Sequence, residues 1–198
     1  MREVKVLYKS DAIARRVREL GRQITRDFRG QTLDVVGRLD SGFVFMADLV
    51  RAVDLPMRYH FVRAETLNLT DPSTGKERRE IFYSPEVDAR GKNVLLVDGV
   101  LQSGVTADFV LRRLGLYQPR ALKTAVLLDK PADRRLSLEP DYAAFRLASN
   151  RVVVGYGLAW DGLHGNLPYL GTFNPDGGGA RRPAARRKKA KGRPRARR

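Results

Sequence analysis

Apolar side chains return every three or four residues between Ser10 and Phe28 (Ile13, Val17, Leu20, Ile24, Phe28), the repeat of a helix buried on one face. Its other face is arginine-rich, with Arg15, Arg16, Arg18, Arg22 and Arg26, and Ser10 is placed to cap its start. The pattern then changes period. Leu33–Val36 is a short, uniformly apolar run that reads as a strand, followed by a turn at Leu39-Asp40-Ser41-Gly42. Met46, Leu49, Val50 and Val53 mark a second helix, and Met57–Val62 another strand. From Ala64 to about Pro85 polar and charged residues take over around a Pro72/Gly75 turn, which predicts an exposed loop or hairpin.

Val94–Val97 is again continuously apolar and is closed by Asp98. The chain continues through Gly99-Val100-Leu101-Gln102-Ser103-Gly104-Val105-Thr106 into a helix with Ala107, Val110, Leu111 and Leu114 on one face. A strand–loop–helix junction of this kind aims backbone N–H groups at one spot, backed by the positive end of the helix dipole, and so favours an anion. Leu122–Leu128, ending in Asp129-Lys130-Pro131, and Val152–Val154, ending in Gly155-Tyr156-Gly157, supply further strands. Apolar strands alternating with helices predict an α/β fold whose central parallel sheet is covered on both faces. Ligands bind beyond the carboxyl ends of such strands, where the turns after Val36, Val97, Leu128 and Val154 are expected to open.

Composition narrows the chemistry. A chain of 198 residues with no cysteine has no disulfide, no thiolate nucleophile and no cysteine zinc site. Only two histidines are present. His60, between Tyr59 and Phe61 in an alternating strand, reads as structural, and His164 sits in a glycine-rich loop facing the expected site. No apolar run reaches the roughly 18 residues of a membrane span, and the basic, polar start lacks an apolar signal region. A cytoplasmic protein without a membrane partner is expected.

The net charge of +16 is concentrated at one end. Arg181, Arg182, Arg186, Arg187, Lys188, Lys189, Lys191, Arg193, Arg195, Arg197 and Arg198 are eleven of the 38 basic residues, and no acid lies among them, so residues 1–180 carry only +5. From Pro175 onward the Gly177-Gly178-Gly179 run and the Pro/Ala/Arg/Lys mixture offer too little apolar surface to fold. The chain therefore divides into one domain over 1–174 and a disordered basic tail over 175–198, suited to nucleic acid without sequence preference.

Three segments together resemble the hypoxanthine-guanine phosphoribosyltransferases, type I enzymes of purine salvage: Val94–Thr106, the stretch from Ala125 to Pro131 with Arg134-Arg135, and Val153–Leu158 continuing through Asn166-Leu167-Pro168-Tyr169-Leu170-Gly171. Phe43–Leu49 is similar to the family's early helix, and the order holds over roughly residues 5–173. The resemblance implies the type I phosphoribosyltransferase fold with a small hood, and usually a homo-oligomer. It also implies a reaction in which a purine nitrogen displaces pyrophosphate from phosphoribosyl diphosphate with help from Mg2+.

Carried over residue by residue, the resemblance gives a mixed site. Ser103, Gly104, Val105 and Thr106 match the loop that holds the sugar phosphate through backbone N–H groups and hydroxyls. Asp98 matches the first of two adjacent acids that hold the ribose hydroxyls, but Gly99 stands at the second. Gln102 replaces the Asp that handles the purine proton; an amide cannot take that proton, and losing a general base costs about 10²–10⁴-fold in rate. Leu39, Asp40, Ser41 and Gly42 align with the pyrophosphate loop, where the family has Leu-Lys-Gly, so Asp40 reverses a charge worth about 4 kcal/mol at roughly 4 Å and an effective dielectric of about 20.

At the purine end Lys130 matches the base-binding lysine. Val152, with Val153 beside it, replaces the stacking aromatic. Ala159 replaces a metal-coordinating Asp, leaving Asp161 as the one candidate ligand. Gly165 falls where an Arg meets pyrophosphate, and Thr66-Leu67 where the mobile loop carries Ser-Tyr. The resulting expectation is a phosphoribosyl- or nucleotide-binding relative whose transferase activity is lost or much reduced. The alternative is an active enzyme making IMP or GMP from phosphoribosyl diphosphate, with Mg2+ as cofactor only in that case.

Overall fold

The computed structural model describes residues 4–70, 77–84 and 86–173, the side chains of 65–70, 77–80 and 173 excepted. The continuously apolar runs occupy the interior of a six-stranded sheet, because each of its faces is roofed by helix or loop. In chain order the elements are β1 (Lys5–Tyr8), α1 (Ser10–Asp27), β2 (Leu33–Leu39), α2 (Phe43–Ala52), β3 (Met57–Thr70) and β4 (Glu77–Ser84). They continue as β5 (Asn93–Leu101), α3 (Val105–Gly115), β6 (Ala121–Asp129), β7 (Tyr142–Arg146), β8 (Val152–Val154) and β9 (Leu170–Phe173).

The large sheet has the order β4-β3-β2-β5-β6-β7, parallel throughout except for the antiparallel β3–β4 edge. Leu33, Val35, Leu95, Val97, Ala125 and Leu127 meet Ile13, Val17, Leu20 and Ile24 of α1 and Phe45, Met46 and Leu49 of α2. Their neighbours Val36, Val62, Val94 and Leu96 face the other way, onto Val110 and Leu114 of α3 and onto Val87 and Ala89. Two covered faces explain why alternation is missing from these strands. The expected α/β class with helices on both faces is what the chain adopts.

Several boundaries differ from the sequence reading. β5 does not stop at Asp98 but runs three residues further, and β2 continues to Leu39, so both strands carry their pairing into the loops of interest. Ser10 is the first helical residue of α1, with Lys9 at the capping position and no side-chain cap bond. Val152–Val154 is a strand, but it belongs to a second, antiparallel sheet of order β1-β9-β8, so the turn after Val154 is not at an end of the parallel sheet. The polar stretch after Ala64 forms the hairpin that was one of its two expected forms: β3 and β4 pair from Arg63↔Ser84 to Thr70↔Glu77. The Pro72/Gly75 turn and the 175–198 tail lie outside the described residues. No helix among the described residues is long and apolar enough to cross a membrane.

Candidate functional site

β2, β5 and β6 are adjacent and parallel, so their carboxyl ends deliver Leu39–Gly42, Asp98–Thr106 and Asp129–Asp133 to one edge of the sheet. A cavity of about 190 Å³ opens there, lined by Ser41, Gln102, Lys130, Val152, Val153 and Trp160 together with Val100, Leu128, Asn150, Leu158 and Ala159. Residues singled out on three separate stretches of sequence thus share one wall. Val152 and Val153 reach it from the small sheet.

Next to the cavity, Gly104 adopts φ +83°, a left-handed conformation that glycine tolerates, and so turns the chain from β5 into α3. Asp108 is the first α3 amide paired along the helix, to the Gly104 carbonyl at 2.8 Å. The N–H groups of Thr106 and Ala107 before it are the orphan donors of a helix start. Arg135 N–H donates to the Ser103 carbonyl at 3.0 Å, and Val105 N–H to the Ser103 hydroxyl oxygen at 3.4 Å, which fixes the loop from both sides. Such a loop can hold a phosphoryl group by backbone donors alone.

The acid end is built differently. Asp98 is buried and accepts from Arg38 through both oxygens, Nε to Oδ2 at 2.6 Å and Nη2 to Oδ1 at 2.7 Å. Ser41 Oγ donates to the same carboxylate at 3.2 Å. Burial works against the Arg38 charge, but Asp98 outweighs it, so the guanidinium stays above its ordinary value. At Gly99 an added Cβ would lie 2.3 Å from the Ser41 carbonyl oxygen, so the 39–42 loop occupies the space a side chain would need. Asp40 turns outward and accepts from Arg63 at 2.7 Å.

At the opposite wall, Gln102 Nε2 donates to Asp133 Oδ2 at 2.7 Å. Lys130 is buried; its ammonium donates to the Arg151 carbonyl at 3.1 Å and lies 3.3 Å from the same Asp133 oxygen. Asp129, also buried, is paired with Arg134 and stands 3.6 Å from Arg146.

Residues 3–160 match the family described as the phosphoribosyl transferase domain. The hypoxanthine-guanine phosphoribosyltransferase of Mycobacterium avium is 35% identical over 86% of this chain and 85% of its own length. The crystal structure of a hypoxanthine-guanine phosphoribosyltransferase from Bacillus anthracis is 32% identical, with a TM-score of 0.74 over 87% of this chain and 99% of that one. The Trypanosoma cruzi hypoxanthine phosphoribosyltransferase, in complex with the product IMP, is 27% identical and has a TM-score of 0.77, covering 88% and 95%. The chain belongs to the hypoxanthine-guanine phosphoribosyltransferase family. It also matches the bifunctional TilS/HprT protein of Listeria innocua, 32% identical over 87% of this chain, but spans only 26% of that protein.

Within this family member, Ser41, Gln102, Lys130, Val152 and Val153 all line the cavity. Asp161 does not: it is exposed in the turn between Trp160 and Leu163, at φ +50°, and the cavity wall passes through Ala159 and Trp160 instead. His164 also lies off the wall, while His60 contacts the buried Asp34 at 3.0 Å, in keeping with a structural role. Thr66 and Leu67 fall where side chains are not described.

Three residues of the site were not singled out from sequence. Arg38 and Asp133 meet partners 60 and 31 positions away, and no local pattern announces such pairs. Trp160 belongs to no motif, yet it is the sole tryptophan of the chain and supplies an aromatic wall where Val152 has none.

Proposed function

We propose that this family member binds a phosphoribosyl compound of the purine series, a purine nucleotide or phosphoribosyl diphosphate, with the transfer step lost or much reduced. The supporting observation is the union, at one sheet edge, of the 103–106 loop with a cavity whose polar side chains are Lys130, Ser41 and the amides Gln102 and Asn150, with no carboxylate among its lining residues. The loop takes the sugar phosphate, Trp160 offers a stacking face, and the Lys130 ammonium donates to a base oxygen. Gln102 has its amide nitrogen committed to Asp133, so it can orient a base but not remove its proton.

Members of the family generally use Mg2+. The donors present here do not fit that ion. Among the described residues no group of three or more Asp, Glu or His gathers, and the one buried acid retained from the family's pair has both oxygens on Arg38. No step is therefore derived through a metal.

A second reading has the comparisons behind it. The relatives that match over most of their own length are named as hypoxanthine or hypoxanthine-guanine phosphoribosyltransferases, which favours an active enzyme making IMP or GMP. One experiment separates the two. The full chain is titrated with IMP while Trp160 fluorescence is followed, and is incubated with phosphoribosyl diphosphate, Mg2+ and hypoxanthine or guanine. The expected result is a saturable fluorescence change with no nucleotide above the protein-free blank. Nucleotide formed in proportion to added protein establishes the enzyme reading instead.

A further inference from the structure

Four carboxylates stand around the carboxyl ends of β2, β5 and β6, and each is already matched by a cation of the chain. Asp98 holds Arg38 through both oxygens, Asp40 holds Arg63, Asp129 holds Arg134 and Arg146, and Asp133 holds Lys130. Two of these pairs are nearly dry. The Arg38 and Asp98 side chains are 16% and 5% exposed, and those of Arg134 and Asp129 are 10% and 3%. Magnesium demands near-octahedral oxygen ligands and gives up its water reluctantly. To reach Asp98 it would have to expel a guanidinium from a bidentate, buried pair and leave that charge without a partner.

The neighbouring position offers no way round, since the Ser41 carbonyl fills the space beside Gly99. The phosphate loop is the opposite case. Its donors are backbone N–H groups, which need no cation to bind a phosphate monoester. A diphosphate on the ribose would point further anionic charge toward a loop whose nearby cations, Arg38 and Arg63, are both committed to carboxylates.

We infer that the ligand of this site is a ribose phosphate monoester, ribose 5-phosphate or a purine nucleoside monophosphate, held without any divalent cation, with Arg38 as a built-in cation on Asp98. This rests on the phosphoribosyl-binding reading above and narrows it. Arg38 is here a positioning residue: it holds Asp98 and Ser41 rather than the ligand.

Calorimetry on the full chain tests the inference with three probes, IMP, ribose 5-phosphate and phosphoribosyl diphosphate, each in Mg2+ and in chelator. Monophosphate dissociation constants are expected to agree within about twofold between the two buffers, and the diphosphate sugar to bind no tighter than ribose 5-phosphate. An affinity gain of about tenfold on adding Mg2+, or a diphosphate preference of that size, overturns the inference and leaves the binding reading standing. Binding of none of the three in either buffer overturns the binding reading, and this inference with it.

Mn2+ alone provides a second measurement. The natural chain is expected to leave its paramagnetic resonance spectrum unchanged, whereas Arg38→Met, which uncovers Asp98, is expected to broaden it. Mn2+ binding by the natural chain, or a folded Arg38→Met chain that still ignores Mn2+, contradicts the role given to Arg38. If that variant does not fold, the natural chain's calorimetry and Mn2+ spectrum decide.

Discussion

At position 99 the missing side chain lets the 39–42 loop lie against β5. Replacing Gly99 with Asp restores the acid of the family's pair on paper, but its Cβ would start 2.3 Å from a backbone oxygen, which no rotamer change relieves. Overpacking of this kind costs about 1–3 kcal/mol. Urea denaturation of Gly99→Asp is expected to show a loss in that range, and an unchanged midpoint would mean that the loop moves freely. From sequence the substitution was visible, but its cause was not, because Ser41 is remote along the chain. Trp160 gives the complementary prediction. Stacking a base on an aromatic ring is worth about 1–3 kcal/mol, so Trp160→Ala is expected to raise the IMP dissociation constant by about tenfold or more by calorimetry. An unchanged constant removes Trp160 from the base wall.

Between elements, the edge strand β7 is tied to α1 at two places: Arg16 donates to the Ala144 carbonyl at 2.9 Å, and at the end of the helix the Tyr142 hydroxyl donates to Asp27 Oδ2 at 2.8 Å. Burial, then that bond to the Asp27 carboxylate, pushes the phenol well above its ordinary value. The folded value lies above the unfolded one, so this contribution is complete below a pH of about 10 and is lost as pH climbs past it toward the folded value. Tyr142→Phe is expected to cost about 1–2 kcal/mol at neutral pH and to flatten the alkaline fall in stability, read from denaturation midpoints across pH. An equal alkaline slope in both chains would contradict the assignment.

Elements whose signal is local were legible in the sequence. The stripe Ile13, Val17, Leu20, Ile24 and Phe28 is buried in full, and the runs at 33–36, 94–97 and 122–128 are all interior strands. β1 and β9 were not legible. Each has four residues, and they pair across most of the chain, Lys5 with Thr172, so neither segment carries enough periodicity to declare itself. The same separation hid the partner of β8 and placed Val152–Val154 in the wrong sheet. β7 is not legible for a related reason: its alternation is confined to five residues on a sheet edge.

Across the whole molecule, charge is divided more sharply than structure. The +5 carried by residues 1–180 is ordinary for a folded body, while the eleven cations of 181–198 are dense enough to contact several phosphates at once. We propose that these residues, beyond the described part of the chain, bind nucleic acid through its backbone. Each cation that meets a duplex phosphate adds about −0.9 to the slope of log K against log salt. Removing residues 175–198 is therefore expected to make that slope less negative by several units while leaving IMP affinity unchanged, because the phosphate loop and cavity lie wholly within the body. Filter binding across a salt series, with calorimetry on both chains, makes the comparison. A slope that survives the deletion would assign the contact to α1 instead. There Arg15, Arg18, Arg22 and Arg26 are exposed and form no ion pair among the described residues, and spacings of three and four place them on one side of the helix. Their conversion to Gln would then flatten the slope that truncation had left.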